Sequence, residues 1–497
     1  MKVLLVYPDY PETFWSYKHA LKFIHKKASL PPLGLLTVSS MLPKEWEKKL
    51  IDLNVNELKD EDIIDSDMVF ISSMIVQIRS SREIIKRVKA FGKFIVAGGP
   101  LFSSMYKDFP DVDCFVLNEG ESTIPLFLSD LKKGQLKHIY KSNERPDISN
   151  TPVPDWSIIN TNDYASLALQ VSRGCPFSCD FCDIIVMNGR VPRVKTSSQV
   201  IAELDAIYNT GWRGGVFIVD DNFIGNRKKV KIILEDISEW MSEHNKPFSF
   251  STEASITVAD DIEIIGLLKK SNFSGLFVGI ETPDEESLKS CGKYQNTGKD
   301  LREKVNFLQR NGLEVKGGFI VGFDTDNALT FDKMIGFIQH SGIVTAMVGL
   351  LHALPKTALY KKLKKEGRIL SAATGNNTDS TLNFAPVMNK DELLEGYKRI
   401  VDTIYKPRYY YERMTIYLRE YRQFAKSSKF SFKLKVMAIS RSLWVLGVTE
   451  RGKIHFWKMF IWTLLHKPKL IPEAITQSIY GYHYRTVLLN NNNTDKV

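Results

Sequence analysis

Cysteine and long apolar runs are both scarce in this chain of 497 residues, and each scarcity excludes something. Five cysteines over this length are too few for a disulfide framework, which points to a reducing cytoplasm. No stretch comes near the roughly 18 consecutive apolar residues of a transmembrane helix. The opening run Met1-Lys2-Val3-Leu4-Leu5-Val6-Tyr7-Pro8 is too short for a signal peptide and reads as a strand. Histidine is sparse too, and none falls between His138 and His244. That gap matters because three of the cysteines lie inside it.

Those three are Cys175, Cys179 and Cys182, in the run Arg173-Gly174-Cys175-Pro176-Phe177-Ser178-Cys179-Asp180-Phe181-Cys182. A zinc site would need a fourth ligand and a second pair at matching spacing. The remaining cysteines, Cys114 and Cys291, are isolated and read as structural. A buried apolar triplet is disfavoured by the Gly, Pro, Ser and Asp residues of the run. Three thiolates at C-x3-C-x2-C can instead hold three irons of a 4Fe–4S cluster. Electron-transfer clusters use four cysteines, so the open fourth iron points to chemistry on a bound molecule.

The pattern C-x3-C-x-Φ-C, with Phe181 before the last cysteine, resembles the radical S-adenosylmethionine (SAM) family. The resemblance implies that SAM binds the open iron and is cleaved to methionine and a 5′-deoxyadenosyl radical. The cofactors would carry the hard chemistry, and the protein would orient them and exclude water.

Size and composition are those of two or three globular domains, with 43% hydrophobic and 25% charged residues. The net charge of +10 is localised: residues 391–497 hold 19 Lys/Arg against 9 Asp/Glu, and the rest of the chain is balanced. The basic excess concerns a partner of the last fifth, not the catalytic part.

Four segments are expected. In residues 1–140, short apolar strands at Val3–Tyr7, Lys49–Leu53, Met68–Ser72, Phe94–Ala97 and Cys114–Leu117 alternate with helices. This predicts an α/β domain with a doubly wound, Rossmann-like parallel sheet. Ligands of such sheets bind beyond the carboxyl ends of the strands. There stand Ser72-Ser73, Gly98-Gly99-Pro100 and Glu119-Gly120-Glu121. Together with Leu30-Pro31-Pro32-Leu33-Gly34-Leu35, these runs resemble the corrin and tail loops of the cobalamin-binding domain in the B12-dependent subgroup. The resemblance implies cobalamin contacts from Gly34, Leu35, Ser72, Ser73, Gly98, Gly99, Glu119 and Gly120. The Asp-x-His-x-x-Gly motif of other cobalamin proteins is absent, and only His19, His25 and His138 occur here. A degenerate domain that binds no cobalamin is the alternative. Residues 141–163 read as a Pro-containing linker.

Residues 164–388 show six strand runs, Ala165–Ser172, Gly215–Asp220, Phe248–Thr252, Gly275–Gly279, Leu313–Val321 and Met347–Leu351, with helices between them. Six repeats predict a partial (β/α)6 barrel with functional residues at the C-terminal strand ends. Asp284 and Asp300 read as helix N-caps. Glu253, Ser255 and Glu281 stand at strand ends. In the family, similarly placed polar residues bind the ribose and methionine of SAM. Gly318-Phe319-Ile320-Val321-Gly322 is similar to its Gly-x-Ile-x-Gly adenine pattern. The resemblance thus implies SAM contacts from Phe181, Glu253, Ser255, Glu281 and Gly322.

Residues 389–497 form a mainly α-helical extension, basic and rich in aromatics. The run Lys453-Ile454-His455-Phe456-Trp457-Lys458-Met459-Phe460-Ile461-Trp462 fits a membrane-interface helix, or a helical cap packed on the barrel. No nucleic acid is expected, because no recognised binding motif accompanies the charge. With Gly481-Tyr482-His483-Tyr484 the layout resembles the hopanoid C-2 methylase-like group of the B12-binding-domain radical SAM family.

The reading is an enzyme using a 4Fe–4S cluster, SAM and cobalamin to methylate an unactivated carbon of a lipid or other hydrophobic small molecule. An electron donor such as flavodoxin or ferredoxin is expected, as is a cytoplasmic location with peripheral membrane contact. Two alternatives remain open. One is radical SAM chemistry that forms rings or carbon–carbon bonds without methyl transfer. The other is a non-catalytic cobalamin- or lipid-binding protein.

Overall fold

In the computed structural model the protein is described over residues 1–376, 378–425 and 432–494. It divides into two compact units. The first comprises Met1–Glu12, Lys26–Ser172 and Arg193–Trp212; the second comprises Thr13–His25, Arg173–Pro192 and Arg213–Val497.

The first unit is built on six strands: β1 (Lys2–Tyr7), β2 (Glu47–Asp52), β3 (Met68–Ser72), β4 (Phe94–Gly98), β5 (Cys114–Leu117) and β6 (Ile139–Lys141). They pair in parallel in the order β2-β1-β3-β4-β5-β6. The central strands are apolar throughout because helices cover both faces of a parallel sheet. Val69, Ile71, Ile95, Ala97 and Phe115 pack on Ile84, Ile85 and Val88 of the helix Ile78–Ala90. Because all six strands are parallel, their carboxyl ends open on one edge, and the reversal of strand order between β1 and β3 places a switch point there.

The expected linker is not a free connection. Strand β6 extends into it, and Ile148 and Trp156 are buried. Buried apolar anchors, which prolines do not prevent, tie it to the first unit. The strand expected at 165–172 is present as β7 (Ser166–Leu169), also in the first unit's part of the chain.

The second unit carries five parallel strands in chain order: β8 (Gly215–Ile218), β9 (Ser249–Glu253), β10 (Phe273–Glu281), β11 (Glu314–Val321) and β12 (Ala346–Leu350). Helices follow β8 to β12, as in a partial β/α barrel. Asp284 caps its helix by accepting from the Ser287 amide at 3.1 Å, and Asp300 caps the next through Glu303 at 3.0 Å.

The helical extension belongs to this same unit. Tyr405 Oη donates to the Ala346 carbonyl of β12 at 2.7 Å. The fully buried Arg413 donates to the Val344 carbonyl at 3.2 Å. The helices that escaped the periodicity include Gly120–Lys133 in the first unit and Ala358–Lys365 and the long C-terminal Ile471–Thr494 in the second. In the last of these, a Cβ on Gly481 would stand 2.4 Å from the ring of Tyr410 on the helix Pro407–Glu420, so glycine allows these two helices to touch.

Candidate functional site

The cluster loop, residues 173–192, is shaped by one glycine. Gly174 has φ +99°, and a Cβ there would meet the Gly189 carbonyl oxygen at 2.9 Å. The Cys175 amide donates to that same carbonyl at 3.2 Å, closing the loop on itself. Asp221, beyond the end of β8, accepts from the Gly174 amide at 3.1 Å and from Asn188 Nδ2 at 2.9 Å. On the opposite side the Asp180 amide donates to the Cys291 carbonyl at 2.9 Å.

Two of the three thiols receive side-chain amides. Asn222 Nδ2 lies 3.7 Å from Cys175 Sγ, and Gln295 Nε2 lies 3.5 Å from Cys179 Sγ. Hydrogen bonds to sulfur favour its anionic, metal-ligating form. Burial acts the other way, raising Cys175 and pushing Cys182 up to about 12. Iron ligation by these sulfurs would release their protons, since metal ligation requires thiolates. Among the described residues no three His, Cys, Asp or Glu side chains converge on a single-ion site. A cubane has no need of such convergence, because each thiolate takes a different iron. An all-sulfur set of three on one loop, with amide donors on two, fits a 4Fe–4S cluster.

The strand ends meet this loop at three places. At the first, Asn222 bridges Cys175 and β9, accepting from the Ser255 amide at 3.1 Å through its own Oδ1. Ser255 Oγ lies 2.7 Å from Thr257 Oγ1. Glu253 closes β9, and burial together with Asp221 and Asp220 pushes its carboxyl up to about 8.

At the second place β10 bulges between Gly279 and Glu281, leaving Glu281 with φ +65°. Such a conformation in a non-glycine residue costs about 1–3 kcal/mol and clusters at functional sites. Asn296 holds the bulge by donating to the Gly279 and Ile280 carbonyls, both at 3.1 Å. The Glu281 carboxylate is ion-paired with the buried Lys293. Burial opposes the Lys293 charge, but the Glu281 carboxylate and the negative charge that the Cys179 and Cys182 sulfurs carry when ionised outweigh it and raise its pKa. Glu281 therefore reaches the cluster loop through Lys293.

The third place is the end of β11. Gly322 has φ +109°, and its amide donates to Asp326 Oδ2 at 2.7 Å. Phe181 packs edge-on against Phe323, with ring centres 6.2 Å apart, in a core that includes Ile320 and Leu351. Phe181 is thus a half-buried packing residue as well as a neighbour of the cluster cysteines.

In the first unit, the expected cobalamin-loop residues separate into two sets. Ser72, Ser73, Gly98 and Gly99 meet at the ends of β3 and β4. A Cβ on Gly99 would stand 2.6 Å from Ser72 Oγ and 3.2 Å from the Ser73 amide, so the turn admits only glycine. The missing side chain lets the ends of β3 and β4 close on each other, which leaves only backbone and small hydroxyls at the ligand edge of the sheet to meet a large cofactor. The buried Ser73 hydroxyl is bonded to Ser81 Oγ at 2.8 Å. The second set is structural in its contacts. Leu35 is a core residue of the helix Leu33–Met41, and space is open around Gly34. Glu119 is held by Arg193 in a two-bond ion pair, 2.8 Å at each contact. Gly120 packs against Ile124 and Met41. His138 bonds the Asp113 carbonyl at 2.9 Å just before β6, at the edge away from the ligand end.

Four residues that bear on the site were not singled out from the sequence: Asn222, Lys293, Gln295 and Asp326. Asn222 carried a signal, standing just past a strand end beside two aspartates. The other three act across the fold and carried none.

The comparisons follow this geometry. Residues 24–128 match the B12 binding domain, residues 169–338 the Radical SAM superfamily, and residues 357–494 a domain of unknown function, DUF4070. An uncharacterized methyltransferase of Synechocystis sp. is 40% identical over 97% of this chain and 91% of its own length. The hopanoid C-2 methylase of Rhodopseudomonas palustris is 32% identical over 93% of this chain and 89% of its own. The chain belongs to the B12-binding radical SAM family. The fold agrees: the cobalamin-dependent SAM radical enzyme OxsB superposes with a TM-score of 0.65 at 17% identity, over 99% of this chain and 80% of that one. As a family member this protein is an enzyme, a B12-dependent radical SAM methyltransferase whose cofactors are a 4Fe–4S cluster, SAM and cobalamin.

Proposed function

We propose that this methyltransferase acts on an unactivated carbon of a membrane lipid, draws its electron from a flavodoxin or ferredoxin, and touches a membrane through its C-terminal region. The observation that carries the lipid reading is near-full-length similarity, extending through the helical extension, to a protein named hopanoid C-2 methylase. When bound, the cluster and SAM supply a carbon-centred radical and cobalamin supplies the methyl group.

The chain's own residues do the holding. Cys175, Cys179 and Cys182 anchor the cluster. Asn222 and Gln295 orient two of the sulfurs. Glu253, Asp220 and Asp221 gather carboxyl groups at the strand ends, where a bound sulfonium or ammonium of SAM would favour the ionised form of Glu253 that burial and its acidic neighbours oppose. Gly318 lets the Phe277 ring pack on β11, since a Cβ there would meet the ring at 2.9 Å. The Phe181–Phe323 contact anchors the cluster loop to the apolar core at the end of β11.

The test is anaerobic reconstitution with SAM, reductant and methylcobalamin in the presence of extracted polyisoprenoid lipids. The expected result is 5′-deoxyadenosine together with a methylated lipid. 5′-Deoxyadenosine with an unmethylated lipid that gains a ring or a carbon–carbon bond would favour the alternative chemistry. Methyl transfer only to a tetrapyrrole or peptide would remove the lipid assignment.

A further inference from the structure

The helix Lys453–His466 is apolar on both sides. Its inner face, Phe456, Met459 and Thr463, is buried, with Phe456 against Tyr411 at 6.1 Å between ring centres. Its outer face repeats the pattern: Ile454, Trp457, Ile461, Leu464 and Leu465 recur every three or four residues, and all are exposed. Ile454 is 64% exposed, Ile461 50% and Leu465 73%. The stripe continues toward the preceding turn, where Trp457 Nε1 donates to the Gly447 carbonyl at 2.9 Å and Trp444 and Val448 are exposed. A surface helix normally turns polar residues outward, and contiguous apolar patches mark interaction sites.

Charge says what would cover this one. Between residues 432 and 470 there are eight Lys/Arg and a single acid, Glu450. That acid is occupied by Arg485, at 2.8 Å and 2.5 Å. Lys453 and Lys458 stand exposed within the stripe's own helix. Another copy of this face would meet it with like charge. Nucleic acid would find cations but also Ile and Leu side chains that do not stack on bases. An anionic bilayer satisfies both features: apolar side chains enter the headgroup boundary while the lysines extend to lipid phosphates. No described helix is long and apolar enough to cross a membrane, so the contact is parallel to its surface.

We infer that the outer face of Lys453–His466, with the adjoining turn, is a docking surface for an anionic lipid bilayer. This inference rests on the membrane contact proposed above and assigns it a place and a lipid charge.

The experiment is flotation of the reconstituted full-length protein with vesicles of phosphatidylcholine alone or mixed with phosphatidylglycerol. The protein is expected to float with the mixed vesicles, to stay behind with phosphatidylcholine, and to lose binding as salt is raised. I461E/L465E is expected to lower the bound fraction about tenfold at unchanged iron content and circular dichroism. K453E/K458E is expected to weaken binding and flatten its salt dependence. Equal flotation of I461E/L465E and wild type overturns the inference, as does absence of wild-type flotation. A wild-type dimer that I461E/L465E converts to monomer, without vesicle binding by either, overturns it in favour of self-association. Lipid methylation is scored separately in detergent: flotation without it sinks the lipid-substrate reading alone, and methylation without flotation sinks the docking surface alone.

Discussion

At the scale of single residues the site rests on sulfur and on the groups that hold it. Cys175→Ala, Cys179→Ala or Cys182→Ala is expected to abolish both the reconstituted iron–sulfur absorbance and 5′-deoxyadenosine formation. Iron retained at wild-type level would contradict the ligand assignment. Gln295→Leu and Asn222→Leu make a finer test. Each removes a hydrogen bond to a thiolate, and such bonds stabilise the more negative, reduced cluster. The variants are expected to load iron normally and to titrate at a more negative potential by paramagnetic resonance, Gln295→Glu less so if its acid form donates. Glu253 predicts a pH effect. Its folded pKa of about 8 lies above the ordinary glutamate value. Below that ordinary value both folded and unfolded chains are protonated and no penalty exists. As pH rises toward 8, the folded chain alone resists ionisation, and stability is lost. Glu253→Gln escapes this loss. Its stability relative to wild type is expected to grow between pH 5 and 8, by on the order of 2 kcal/mol after allowance for solvent screening. Urea titrations of cluster-free protein at the two pH values measure it, and a constant difference would count against a buried carboxyl.

At the scale of elements, two glycines are demanding. Gly322→Ala forces φ +109° on a residue with a Cβ, although Leu393 and Leu351 leave it room. It is expected to cost about 1–3 kcal/mol in thermal unfolding. Replacement of Gly481 by leucine places atoms inside the Tyr410 ring and is expected to destabilise by at least as much. These positions also show what could be read beforehand. Strands β3 and β5 and the helix Lys390–Tyr405 lie where their apolar periodicity places them, because buried parallel strands and amphipathic helices write their burial into local pattern. The grouping of Cys175, Cys179 and Cys182 on one loop was legible because their spacing in the sequence is short and fixed. Lys293 and Gln295 were not, since they follow a different strand and reach the loop only through folding. The ion pair of Glu119 was hidden for the same reason: its partner Arg193 is far along the chain, and nothing local shows that the carboxylate is held. The C-terminal helix Ile471–Thr494 has weak polarity contrast, being buried on several sides, so its periodicity is faint.

At the scale of the molecule, the helical extension is part of the second unit's core rather than an appendage. Phe331, on the helix Ala328–Ser341, lies so close to Gly396 that a Cβ would enter its ring, and the Gly342 turn packs on the Tyr417 backbone. A chain ending at residue 388 loses these contacts and leaves the faces beneath Arg413 and Tyr405 bare. It is expected to aggregate, or to melt without a cooperative transition by calorimetry. A well-folded 1–388 fragment would return the extension to the status of a separate module. The order in which the chain visits its two units has a consequence of its own. Residues 13–25 and 173–192 belong to the second unit, yet each is flanked on both sides by first-unit segments. No single protease nick can therefore release either half intact. Shuffling one half against a homologue's would require several coordinated splices, so the pair is inherited, and best engineered, as one piece.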